Sequence, residues 1–135
     1  MQKKYILLTF FLILIQFSYS QNTYSDNQIR DFIKEVFSAQ SNELVFQNPE
    51  RYKAINRFFA KIKIELRNDI DINKKFDNYF DLPLNNKYNS HLQKDKTFSF
   101  QNFNPLKYKV QMFPQESKIY RLGNTQYLLF INPLK

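Results

Sequence analysis

The apolar positions change period along this chain, and the changes mark its elements. Between Ser25 and Gln40, residues Ile29, Phe32, Ile33, Val36 and Phe37 fall three and four apart. That spacing predicts an amphipathic helix with one buried stripe. Ser25 and Gln28 have the spacing of a capping box, with Asp26 and Asp31 early in the helix, where the helix dipole favours acids. Asn48-Pro49 predicts a second helix start, Asn as N-cap and Pro at the first helical position. Tyr52, Ile55, Phe58 and Phe59 continue it at helical spacing. Near Ala60 the period shortens to two: Ile62, Ile64 and Leu66 alternate with charged neighbours over 61–67, as in a half-buried strand.

The C-terminal third reads as three sequential antiparallel strands. Tyr108, Val110 and Met112 alternate with Lys107, Lys109 and Gln111. Lys118 to Leu122 and Thr125 to Ile131 then flank Gly123-Asn124, the composition of a type II′ hairpin turn. That turn predicts Tyr120 opposite Tyr127 and Ile119 opposite Leu128. The run from Tyr127 to Ile131 is apolar at successive positions, as in a strand covered on both faces. The expected fold is therefore α+β: a small antiparallel sheet, made of a C-terminal three-stranded meander plus a strand near 61–67, packed by one or two N-terminal helices. Residues 68–104 carry only short apolar islands and read as a long irregular segment, or as a hairpin hidden around Asn85-Asn86 or Lys96. Long loops often carry function, so a site is sought there first. The repeat of Asn104-Pro-Leu-Lys107 as Asn132-Pro-Leu-Lys135 is too short to signal a repeat architecture.

The N-terminus has a different logic. Lys3 and Lys4 precede an apolar run from Tyr5 to Phe17, and Ser18-Tyr19-Ser20 supplies small residues at a cleavage site. This is the pattern of a secretory signal peptide over residues 1–20, cut after Ser20. The run is shorter than the ~20 residues of a spanning helix. The expectation is an exported protein, periplasmic or extracellular, with a single mature domain over 21–135 and no integral membrane span.

Composition mainly excludes. With no cysteine, disulfides, thiolate metal sites and a cysteine nucleophile are ruled out. One glycine cannot build a phosphate-cradling loop or a nucleophile elbow, and one histidine cannot build a multi-histidine metal site. Tryptophan is absent, while 18% of the residues are Phe or Tyr, large apolar area for a core without covalent staples. The formal charge is +8, with Lys3 and Lys4 in the leader and the remaining cations scattered as pairs. Scattered charge of this kind is a solvated face, with an anionic partner as the sharper alternative.

Four candidate chemistries can be weighed. Asp69-Ile-Asp71-Ile-Asn73 opens like a calcium loop, but Lys74 stands where the sharp turn needs Gly and Phe80 where a bidentate Glu is needed. No metal or other cofactor is therefore expected. His91 could serve as a general base in a small secreted nuclease-like hydrolase, yet no second histidine supports it. No two carboxylates have a spacing that singles them out for sugar hydrolysis. Aromatics interleaved with lysines suit stacking and ion pairing, and Tyr79, Tyr88, Lys107 and Lys109 are the candidate ligand-binding residues. Export disfavours genomic nucleic acid as a partner. The expectation is a non-catalytic binding module whose partner is an envelope protein or an anionic surface polymer. The hydrolase centred on His91 is the alternative. A pocket gathering His91 with Lys or Asp groups favours the enzyme, and a solvent-facing His91 favours the binding module.

Overall fold

A computed structural model describes residues 24–69, 71 and 75–134. The expected leader, with its cleavage after Ser20, lies outside the described residues, as do Ile70, Ile72, Asn73 and Lys74 of the calcium-like motif.

Helix α1 runs from Asp26 to Phe37. Ser25 Oγ accepts from the Gln28 backbone N–H at 3.1 Å, so one free N–H of the first turn is capped. The Gln28 amide does not complete the box; it donates to the Gln101 carbonyl at 3.4 Å. Ile29, Phe32, Ile33 and Val36 are buried, as the spacing predicts. The helix stops at Ser38, whose φ of 51° is left-handed, and the Ser38 N–H closes onto the Lys34 carbonyl. A short 3-10 turn and a π-helical turn over Asn42–Phe46 bury Val45 and lead into α2, Pro49–Lys61. Asn48 Oδ1 caps α2 by accepting from Arg51 N–H at 3.1 Å. The two helices are tied by polar contacts: Tyr52 hydroxyl donates to Asp26 at 2.7 Å and Arg30 donates to the Tyr52 oxygen at 3.2 Å. The Arg30 guanidinium also lies 4.6 Å from the centre of the Phe46 ring.

Strand β1, Ile62–Leu66, follows α2 without a loop. The period switch falls at Lys61–Ile62, one residue after its expected place. Strands β2, Lys118–Arg121, and β3, Tyr127–Ile131, complete an antiparallel sheet in the order β1-β3-β2. Ile62 pairs with Ile131 and Leu66 with Tyr127. Ile62, Ile64, Leu129 and Ile131 share one face and join the core with Phe32, Phe58 and Phe59. β3, the doubly apolar run, is central as expected.

Two expectations are corrected. The C-terminal region is not a meander, because residues 107–112 form no strand. Asn104 and Pro105 start a 3-10 turn over Pro105–Lys107 instead, and only Tyr108 bridges, to Leu84. Both edges of β3 are occupied by β1 and β2, and Asn78 bridges the outer side of β2 at Arg121. The alternating segment therefore pairs with 83–85, and no hairpin forms around Asn85-Asn86 or Lys96 among the described residues. The hairpin register also differs. Tyr120 faces Leu129 and Ile119 faces Phe130, two residues from the expected pairing. Leu122 N–H reaches the Tyr127 carbonyl at 3.0 Å across a longer loop, in which Thr125 Oγ donates to the Leu122 carbonyl at 2.7 Å. A shift of two keeps each side chain on its own face, so the buried set is unchanged. Gly123 does take the positive φ expected of it, +62°.

Candidate functional site

The segment after residue 103 is pinned from three sides, and the pinning leaves a cleft. Asn104 is fully buried. Its Nδ2 donates to the Phe32 carbonyl at 3.1 Å and to Glu35 at 2.8 Å, and its Oδ1 accepts from Leu106 N–H at 3.0 Å. One side chain thus ties the segment to the C-terminal half of α1 and caps the turn that follows. From below, the buried Tyr79 hydroxyl donates to the Pro105 carbonyl at 2.8 Å. From the far side, Asn85 N–H donates to the Lys107 carbonyl at 2.6 Å and Lys109 N–H to the Pro83 carbonyl at 2.8 Å.

Asp95 closes the intervening loop. It accepts from Lys107 Nζ at 3.1 Å and from the Tyr108 hydroxyl at 2.6 Å, while its own N–H donates to the Tyr108 oxygen at 2.8 Å. The Lys107 and Asp95 side chains are only 8% and 17% exposed, so this pair is shielded from solvent. Burial, and then the hydrogen bond to Asp95, push the Tyr108 phenol well above its ordinary range. The phenol therefore stays protonated and serves as a donor.

The cleft beside this clasp has a volume of about 420 Å³. Phe58, Pro105, Leu106 and Tyr108 are its buried members, and Val110 and Met112 are half-buried. Asn85 and Lys109 supply its polar groups. Among the described residues no carboxylate lines it. Lys109 is exposed and makes no ion pair among the described residues. The volume is in the range of small-ligand pockets, and a mostly apolar wall with few polar groups is their usual make-up.

A second depression of about 400 Å³ is polar, with Lys75, Asp77, Asp81 and Arg121 along it. Arg121 is already engaged there. Its Nε donates to the Phe76 carbonyl at 3.2 Å and its Nη1 to the Gly123 carbonyl at 2.7 Å. The side chain fastens the 76–78 segment to the hairpin, and two acids balance the two cations around it.

The candidate residues named from sequence do not converge. Tyr79 is wholly buried, packed against Tyr108 at 5.0 Å and Tyr120 at 5.3 Å between ring centres, and burial raises its phenol far above the ordinary range. Lys107 is buried in its pair with Asp95. Tyr88 lies elsewhere, stacked on Phe37 at 5.5 Å with Lys87 Nζ 5.2 Å from its ring centre. Only Lys109 reaches the cleft. His91 is exposed in a turn whose backbone N–H donates to Asn89 Oδ1 at 3.0 Å, and Asn89 in turn holds the Glu35 carbonyl at 2.8 Å. The imidazole lines neither depression. Of the calcium-like motif, Asp69 is paired to Arg67 through two bonds of 3.0 and 3.1 Å, which hold its carboxyl below the usual range. Among the described residues no group of acids and histidine is arranged to hold a metal ion.

Sequence reading missed Phe58, Asn85, Leu106, Val110 and Met112 as cleft residues. The signal was present in the Val110 and Met112 alternation, but it was assigned to a strand. A comparison of the chain with protein-family models, curated proteins and solved structures found no match. Among the described residues no helix is long and apolar enough to cross a membrane.

Proposed function

We propose that this chain acts by binding rather than catalysis, as an exported module whose partner in the cell envelope or extracellular space carries negative charge. The observation that carries the reading is the contrast between His91 and the cleft. The lone histidine faces solvent away from both depressions, whereas the cleft joins an apolar wall to a lysine with no ion pair among the described residues, and no described acid or histidine lines it. General acid–base chemistry needs a titratable group held against the reacting atoms. Recognition needs only shape, apolar area and a few placed polar groups. A hydrolase built on His91 gains no support from the geometry.

The leader pattern motivates export, and the excess of lysine motivates an anionic partner. The test uses the chain lacking residues 1–20, incubated with envelope extract and with anionic-polymer resins at low and moderate salt. Retention of an envelope protein or an anionic polymer, weakening as salt rises, supports the reading. A monodisperse protein that retains nothing overturns it. So does hydrolysis of nucleic acid that disappears in His91→Ala.

A further inference from the structure

We infer that the cleft of Phe58, Leu106, Tyr108, Val110 and Met112 is a subsite for an acyl chain ending in an anionic head, with Lys109 as the head's counter-ion. This deepens the binding reading above and rests on it. The wall is apolar over most of its extent, so an occupant that leaves water there gains from area alone. Met112 contributes a flexible, polarisable thioether, and Val110 is half-buried beside it. Such walls accommodate chains of variable shape.

The polar groups select against other occupants. The Tyr108 hydroxyl is engaged by Asp95, the Asn85 N–H by the Lys107 carbonyl and the Lys109 N–H by the Pro83 carbonyl. An extended peptide would find those three donors taken, whereas an acyl chain asks nothing of them. The single charge on the lining is the Lys109 ammonium, which has no partner among the described residues. A cationic head would meet it unfavourably, and a neutral chain would leave it unanswered. Lys107, two residues earlier, cannot substitute because Asp95 neutralises it.

The probes are decanoate, decyltrimethylammonium and acetate, titrated into the chain lacking residues 1–20 and followed by amide chemical shifts. Decanoate should shift the amides of Leu106, Val110 and Met112 together, and acetate should not. The cationic chain should bind at least roughly tenfold more weakly, and Lys109→Glu should narrow or reverse that preference. Lys109 is exposed, so this variant keeps its fold, which circular dichroism checks. Val110→Asp should abolish decanoate binding. As that variant disturbs a half-buried position, Met112→Gln provides the milder loss. Equal binding of both charged chains, shifts elsewhere, or no shifts at all overturn the inference. If the envelope extract still yields a retained partner in that case, the broader binding reading stands. If it yields nothing, both fall.

Discussion

The helical part of the molecule and the segment from 76 to 112 reach comparable burial by different means. In α1 and α2 the backbone satisfies itself, and side chains enter the hydrogen-bond pattern mainly at the caps, Ser25 and Asn48. Apolar residues recur every three or four positions because the helix itself repeats. The 76–112 segment has two short 3-10 turns and isolated bridges, so much of its backbone needs partners from elsewhere. Asparagine amides supply them. Asn78 Oδ1 accepts from Phe80 and Gly123 N–H at 3.2 and 3.0 Å, Asn89 Oδ1 from His91, and Asn104 Oδ1 from Leu106. The asparagine side chain is a peptide group on a short arm, and here it replaces the missing ladder. Irregular structure is thus held by individual residues, and regular structure by a pattern.

The largest expected effect comes from alkaline pH, which acts on phenols packed on both sides of this contrast. The phenols of Tyr79, Tyr108 and Tyr120 are all raised first by burial, as is that of Tyr24 against α1 and α2. In the unfolded chain a tyrosine titrates near about 10. Below that value both states keep the proton and the contribution is fully present. Above it the unfolded state ionises first, the folded state binds more protons, and stability falls until the folded phenols themselves titrate. We expect cooperative loss of circular dichroism beginning above about pH 10, with buried tyrosinate absorbance rising only as the fold is lost. A smooth rise in absorbance with an intact fold would remove these rings from the core.

Next in size are two substitutions that separate the two modes. Phe58→Ala deletes a fully buried ring between helix and cleft and should cost about 3–5 kcal/mol. Asn104→Leu keeps the branching of the side chain and adds apolar area, yet should still cost about 3 kcal/mol, because the buried Leu106 N–H loses its partner and Glu35 loses the amide donor. The patterns should differ as well. Hydrogen exchange in Asn104→Leu should rise across 76–112 while α1 and α2 keep most of their protection. If Asn104→Leu stabilises the protein, the amide is not what holds the segment.

The same contrast explains what could be read from the sequence. The helices, β1, and the central place of β3 were legible because each follows a repeating period. The site was not. Val110 and Met112 alternate as a strand would, but the sequence cannot say that Asn78 meets the outer edge of β2, the edge a preceding meander strand would use. Nor does it distinguish the two Asn-Pro-Leu-Lys stretches. Asn104 is buried and caps a turn, whereas Asn132 accepts from Ser117 Oγ at 2.9 Å on the outside. The hairpin length was misjudged for a similar reason. Gly123 announced the turn, but Thr125 lengthened it through a hydroxyl bond that no period encodes. Lys107 and Lys109 are equivalent in sequence, and only the position of Asp95 makes one structural and leaves the other with no ion pair among the described residues.

The smallest effects test whether the helical side really depends on pattern rather than on single side chains. Ser25→Ala removes the oxygen that receives the Gln28 N–H and should cost about 1 kcal/mol, read as a shift in the urea midpoint at constant slope. Ser25→Asp should recover most of it, since a carboxylate accepts the same bond and faces the positive end of the helix. Gln28→Ala should cost only a few tenths of that, because its amide donates weakly to the Gln101 carbonyl and gives nothing back to the cap. The expected order is therefore Ser25→Ala, then Gln28→Ala, both well below Asn104→Leu. A Gln28→Ala loss as large as that of Ser25→Ala would mean that the box is reciprocal in solution, or that the reach to residue 101 anchors the irregular segment onto α1. Exchange at Phe98 to Phe103 separates the two cases, since only the second would raise it.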